Sequence, residues 1–103
     1  MTRATVSTHV LDVAAGSPAS GVRVTLGTLV PQVTNAEGRI ADLSGGGGIE
    51  PGTYQLVFEV DGYYGSRPHL YKKVVFELEL AEGRHYHVPL LISPFGLSSY
   101  RGS

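Results

Sequence analysis

Residues 53–60 read Thr53-Tyr54-Gln55-Leu56-Val57-Phe58-Glu59-Val60. Tyr54, Leu56, Phe58 and Val60 fall on one side of an extended chain, with Gln55, Val57 and Glu59 on the other. That is the two-residue period of a half-buried strand. The period recurs in both directions. Downstream, Val74, Phe76, Leu78 and Leu80 alternate with Val75, Glu77 and Glu79, and Tyr86, Val88, Leu90 and Ile92 alternate with His85, His87, Pro89 and Leu91. Upstream, Val22, Val24 and Leu26 alternate with Arg23 and Thr25, and Val6, Thr8 and Val10 alternate with Ser7, His9 and Leu11. Weaker runs lie near residues 29–34 and 39–43, and no segment keeps a 3.6-residue period over a long stretch. Turn signals separate the runs: Ala15-Gly16-Ser17-Pro18, Asn35-Ala36-Glu37-Gly38, the four glycines at 45–48, Pro51-Gly52 and Asp61-Gly62. About seven to eight short strands punctuated in this way predict an all-β, antiparallel β-sandwich. Room for one short helix remains only near residues 81–83 or 62–71. Pro89 removes a ladder donor inside a strong strand pattern and so predicts an edge strand, one that symmetric pairing with a second copy would cover. The closing residues, from Phe95 to Ser103, are the small polar kind that ordinarily fray.

A chain of 103 residues predicts a single domain spanning 1–103. Lys plus Arg number 8 against 9 Asp plus Glu, and the balance of −1 lacks the basic excess that a nucleic-acid partner requires. The absence of cysteine removes disulfide scaffolds, thiolate metal sites and cysteine nucleophiles together. No apolar run approaches the roughly 18 residues of a membrane span. The opening Met-Thr-Arg-Ala-Thr-Val-Ser-Thr-His lacks the apolar centre of a secretory signal, and the expected location is the cytoplasm. So small a chain holds one core, which favours a ligand cleft between subunits over one enclosed within a subunit.

Three histidines and two arginines stand out. His9 sits in a strand opposite Val6 and Val10. It reads either as a half-exposed residue on a solvated sheet face or as a group for acid–base work near neutrality. His85 and His87 are two apart in a strand, so both rings leave one side, ~6–7 Å apart. With His9 they offer enough nitrogens for zinc. No carboxylate lies within the H-x-H segment and none is placed beside it by the sequence, so no metal is expected. His85 adjoins the turn at Gly83 and reads as solvated, whereas His87 lies deeper in the apolar run. Arg39 and Arg101 read either as surface cations or as planar donors able to hold a carbonyl-rich or anionic ligand. The chain contains no nucleophile elbow, phosphate-binding loop or dinucleotide fingerprint.

Four segments carry a resemblance. They are Ser7-Thr8-His9-Val10-Leu11-Asp12, Thr34-Asn35-Ala36-Glu37-Gly38-Arg39, His85-Tyr86-His87-Val88-Pro89-Leu90-Leu91-Ile92-Ser93-Pro94 and the closing Tyr100-Arg101-Gly102-Ser103. In order, over essentially the whole chain, they resemble the 5-hydroxyisourate hydrolases, the transthyretin-like enzymes of urate degradation. The resemblance implies a transthyretin-like (prealbumin-like) sandwich assembled as a homotetramer, a dimer of dimers with its sites at the dimer–dimer interface. It implies hydrolytic opening of the six-membered ring of 5-hydroxyisourate, with no cofactor and no metal. It implies His9, Arg39 and His87 as catalytic residues, and His9, Arg39, Tyr100, Arg101, Gly102 and Ser103 as substrate-binding residues. Two departures are visible: Glu37 stands where that family usually has Asp, and the stretch 64–73 is shorter than usual and holds Leu70-Tyr71-Lys72-Lys73.

Two other functions compete on the same fold. A non-catalytic carrier of the transthyretin kind would lack the histidine pair, Arg39 and the Tyr-Arg-Gly-Ser end. A structural or adhesive sandwich module would use the turns and strands equally well and need none of the histidines. Solution size separates the last reading, since an adhesion module is monomeric.

Overall fold

The computed structural model describes residues 3–103, which fold into two facing sheets and one short helix. The deciding stretch becomes β6 (Gly52–Glu59), whose Leu56 and Phe58 are wholly buried between the sheets. It pairs on one side with β3 (Arg23–Leu26) and on the other with β7 (Val74–Leu80), both antiparallel. β4 (Gln32–Val33) completes this sheet in the order β4-β3-β6-β7. The second sheet runs β2-β1-β8-β9, built from β2 (Ser17–Pro18), β1 (Thr5–Asp12), β8 (His85–Ser93) and β9 (Gly96–Ser99). β5 (Arg39–Ile40) pairs with β1 beside β2.

The predicted faces hold. Val6, Thr8 and Val10 of β1 and Val88, Leu90 and Ile92 of β8 turn inward, against Val24, Leu26, Leu56 and Phe58. Each large apolar side chain so buried is worth about 1.5–3 kcal/mol. Phe58 and Phe76 meet edge to face at 6.0 Å. Thr8, a polar residue of β1's inner row, donates its hydroxyl to the Val88 carbonyl at 2.6 Å, so its burial leaves nothing unpaired.

Three details correct the sequence expectations. β1 and β8, the long strands of their sheet, run parallel through eight paired positions, although an antiparallel sandwich was expected throughout. The chain between them passes through the whole opposite sheet, and a long connection of that kind can deliver a strand in either sense. β8 is also not an edge, because β1 and β9 flank it. Pro89 is tolerated there because its carbonyl, and with it its nitrogen, faces the β9 side just beyond the last paired residues, Leu90 and Ser99. No β1 bond is lost. The helix α1 (Val60–Tyr64) begins on a residue read as the end of a strand, where β6 runs out of partner at Arg23, and residues 81–83 form only a turn. The closing segment, of a composition that ordinarily frays, is held as β9 and by its bridge to His87.

α1 is five residues long and cannot stand by itself. Tyr63 donates to Asp12 at 2.8 Å, while Asp12 also accepts the Ala15 amide at 2.9 Å. The Asp61 carboxylate meets Nε2 of His69 at 2.6 Å, closing the loop that leads to β7.

Candidate active site

Odd-numbered residues of β1 and β8 form the outer face of their sheet. The parallel register sets Thr5 beside His85, Ser7 beside His87 and His9 beside Pro89. On the other side of β1, Arg39 of β5 lies directly opposite His9. Cross-strand partners project from the same face, so His9, Arg39, His85 and His87 are gathered there.

Arg39 arrives by a rigid turn. The Asn35 side-chain oxygen accepts the Glu37 and Arg39 amides, each at 2.9 Å. Thr34 anchors the turn by donating to the Ala19 carbonyl at 2.7 Å and accepting the Val22 amide at 2.9 Å. Gly38 has φ +76°, and a Cβ there would lie 2.4 Å from the Val10 carbonyl oxygen. Only glycine permits that conformation and that approach. The turn also aims the Glu37 carbonyl at His9, whose Nε2–H donates to it at 2.8 Å. A carbonyl only accepts, so the neutral His9 ring carries its proton on Nε2 and its lone pair on Nδ1.

His87 is half-buried, and its Nδ1 lies 2.8 Å from the Ser7 hydroxyl. The same hydroxyl lies 2.9 Å from Nε2 of His85, whose Nδ1 lies 2.7 Å from the Thr5 hydroxyl. Burial holds His87 below its ordinary value of 6.5, and the charges of Arg39, His9 and His85 push it the same way. Asp42, beyond β5, lies within the field of His85. The Ser44 hydroxyl holds Asp42 below the usual carboxylate range against the opposing effect of burial, and the Ser44 and Gly46 amides and the His85 charge add to the lowering. Among the described residues no group of three or more His, Asp or Glu is disposed to hold a metal ion.

The closing tetrapeptide divides. The Gly102 amide donates to the His87 carbonyl at 2.7 Å, and a Cβ on Gly102 would lie 2.6 Å from Cδ2 of that ring. Gly102 is therefore packed on His87, with exposed Ser103 beside it. Arg101 turns elsewhere. Its guanidinium lies 4.5 Å from the Tyr86 ring centroid and donates to the His85 carbonyl at 3.3 Å. Tyr86 occupies the inner row of β8, opposite the histidines. Tyr100 and Arg101 line a cleft of about 540 Å³ running along β7 and β8. The structure thus joins His9, Arg39, His87 and Gly102, and sends the Arg101 side chain to the other side of β8.

Sequence reasoning passed over Ser7 and Thr5. The available signal was their spacing: both precede His9 by an even number of residues in one strand and so share its face. Ser7 is 9% exposed, with its hydroxyl lodged between two rings, a bridge rather than a nucleophile.

Two sheets with three imidazoles, a guanidinium and a bridging hydroxyl on one outer face define a transthyretin-type sandwich equipped for proton transfer. The chain belongs to the HIUase/Transthyretin family, which it matches over residues 6–102. It is 40% identical to 5-hydroxyisourate hydrolase 2 of Rhizobium meliloti, over 95% of each chain. It is likewise 40% identical to the 5-hydroxyisourate hydrolase of Pseudomonas aeruginosa, over 95% of this chain and 90% of that one. Among solved structures, the 5-hydroxyisourate hydrolase of Klebsiella pneumoniae superposes with a TM-score of 0.88 at 37% identity, covering 100% of this chain and 97% of that one. Sea bream transthyretin in complex with thyroxine superposes at 0.86 with 24% identity, over 94% and 93% of the two chains, a likeness of fold.

Proposed function

We infer that this chain is a 5-hydroxyisourate hydrolase of urate degradation, opening the substrate's six-membered ring to 2-oxo-4-hydroxy-4-carboxy-5-ureidoimidazoline. Water attacks a ring carbonyl and the adjoining amide C–N bond breaks. The observation that carries the reading is the convergence of His9, Arg39 and His87 on one face in a family whose relatives bear that activity's name. His9 is assigned as general base, since the Glu37 carbonyl leaves its Nδ1 lone pair free to take a proton from water. Arg39 opposes the charge that builds on the carbonyl oxygen, a contact of a kind worth ~3–4 kcal/mol. His87 delivers a proton to the leaving nitrogen. Gly102 packs on His87 with Ser103 next to it in the chain, whereas Tyr100 and Arg101 lie along the cleft on the other side of β8, so the tail's contribution to the histidine face within one chain comes from Gly102 and Ser103. The chemistry calls for no cofactor, because the substrate is an activated cyclic amide.

The assembly belongs to the same proposal: a homotetramer, as a dimer of dimers. In one chain the histidines lie on an open sheet face, whereas a small rigid ligand is ordinarily enclosed. Apolar residues continue that face: Leu91 follows His87 and Pro89 in the same row of β8, and Val13 is 53% exposed. The cytoplasm is the assigned location, and cell fractionation tests it. No helix among the described residues is long and apolar enough to cross a membrane.

The test is ultraviolet spectroscopy of 5-hydroxyisourate generated in place by urate oxidase. The protein is expected to accelerate its decay well beyond the spontaneous rate. His9→Ala and His87→Ala are each expected to lose about 10²–10⁴ of that acceleration while keeping the assembly. Deleting residues 100–103 is expected to abolish most of it, and a truncated chain at full rate would remove the tail from the site. Decay at the spontaneous rate from a folded wild-type tetramer would leave a ligand carrier.

A further inference from the structure

We infer that Ser7 and His85 form a proton relay behind His87, and that this relay makes a neutral imidazole the general acid of the ring-opening step; the inference rests on the function proposed above. The chain of groups is continuous. Nδ1 of His87 is 2.8 Å from Ser7 Oγ, that oxygen is 2.9 Å from Nε2 of His85, and Nδ1 of His85 is 2.7 Å from Thr5 Oγ1. All three distances are those of ordinary to short hydrogen bonds. The chain leads from the half-buried ring to the exposed rim at His85.

A hydroxyl carries one proton, so Ser7 donates to one ring and accepts from the other. The bonds therefore run in a common sense. With Ser7 donating to Nδ1 of His87, the proton of that ring sits on Nε2, which no described residue engages. His85 then donates from Nε2 to Ser7 and accepts from Thr5 on Nδ1.

The leaving nitrogen must gain a proton as the C–N bond breaks. An imidazolium at position 87 would serve, but burial and the charges of Arg39 on β5, His9 on β1 and His85 on its own strand all oppose it. A neutral imidazole that simply released its Nε2 proton would become an anion. The relay removes that obstacle. As Nε2 releases its proton, Nδ1 takes the Ser7 hydroxyl proton, Ser7 takes the Nε2 proton of His85, and His85 takes a proton on Nδ1 from Thr5, which water restores. Each member loses one proton and gains one, which leaves both rings protonated on Nδ1. His9 passes to solvent the proton taken from the attacking water, and the relay resets when Nε2 of His87 takes a proton from solvent and the chain runs back, returning to solvent the proton that entered at the rim. The new carboxylic acid ionises, so one proton is released per turnover. Ser7 and His85 touch no substrate and act through His87, as positioning residues.

Two variants test this, Ser7→Ala and His85→Gln. A glutamine amide can still hydrogen-bond to Ser7, but it cannot receive a proton at one nitrogen and release it at another. Steady-state kinetics across pH and the ring nitrogens of His87 by 15N NMR are the measurements. Each variant is expected to lose about 10²-fold in kcat at mildly alkaline pH with KM unchanged. The loss should shrink as pH falls, since a protonated His87 needs no relay, and the double variant should be no slower than either single one. The Nε2–H form of His87 should dominate in the wild type and give way to a mixture of tautomers in both variants. His85→Gln with wild-type kcat at every pH would overturn the relay, as would an unaltered His87 tautomer in Ser7→Ala. If the wild type does not turn over 5-hydroxyisourate at all, the proposed function fails, and the NMR comparison alone decides the relay in the same two ways.

Discussion

At His87 a single proton is contested by its surroundings, and the consequence is measurable in two ways. Burial, Arg39, His9 and His85 all lower its affinity for a second proton below the ordinary 6.5. The folded ring therefore binds that proton less tightly than the unfolded one. Stability is unaffected by this group above pH 6.5, falls as pH drops through the unfolded value, and levels off once the folded ring is protonated too. Arg39→Gln removes one of the opposing charges while keeping a polar side chain. The His87 midpoint is expected to move up toward 6.5 in an NMR titration, and the acid-side loss of stability to shrink. An unchanged midpoint would mean that the guanidinium does not act on the ring. The same variant should lose most turnover, because an amide cannot oppose charge on the carbonyl oxygen as a guanidinium does.

Elements set these residues in place, and the turn before β5 is the most demanding of them. Gly38→Ala forces a side chain into positive φ, which costs about 1–2 kcal/mol before any clash, and sets its Cβ 2.4 Å from the Val10 carbonyl oxygen. We expect a loss of at least ~2 kcal/mol in urea unfolding, with a larger fractional fall in activity, because the Glu37 carbonyl and Arg39 would both retreat from His9. Activity falling only in proportion to the unfolded fraction would show that the turn merely stabilises. The long strands around this turn were legible because alternation over seven or more residues records two environments. β2 has two residues and therefore no period, and β9 reads Gly-Leu-Ser-Ser, without an apolar row, being held by its pairing with β8. His9, Arg39 and His87 were legible by residue type and by resemblance. Ser7 was not, because its role depends on a contact between positions 80 residues apart, through a parallel pairing that local pattern does not encode. α1 shows the same dependence: its clamp joins Asp61 to His69, and Asp61 is held low chiefly by the His69 hydrogen bond. His69 is raised by the Arg67 carbonyl and Asp61, so its contribution is complete below 6.5 and lost as pH rises past its folded value.

On the scale of the whole molecule, the question is what closes the histidine face. The sandwich core is complete within one chain, yet His9, Arg39 and His87 stand on an outer surface beside Leu91, which lines a shallow cleft with Val13. A surface that binds a purine-sized ligand by one side only leaves its acid and base in water, where charges on Arg39 and the substrate are heavily screened. Closure by a second sheet face would exclude that water and strengthen both contacts. The proposed tetramer therefore belongs to the catalytic argument as well as to the packing one. Sedimentation should give a mass of about four chains, since an isologous pair of faces joins dimers two at a time. Leu91→Arg places a charge on the face without touching the assigned catalytic residues. We expect it to halve the mass, leave the circular dichroism of the strands intact and remove most of the activity. A variant that halves the mass and keeps full activity would mean that each face works alone, and the enclosing partner would have no part in catalysis.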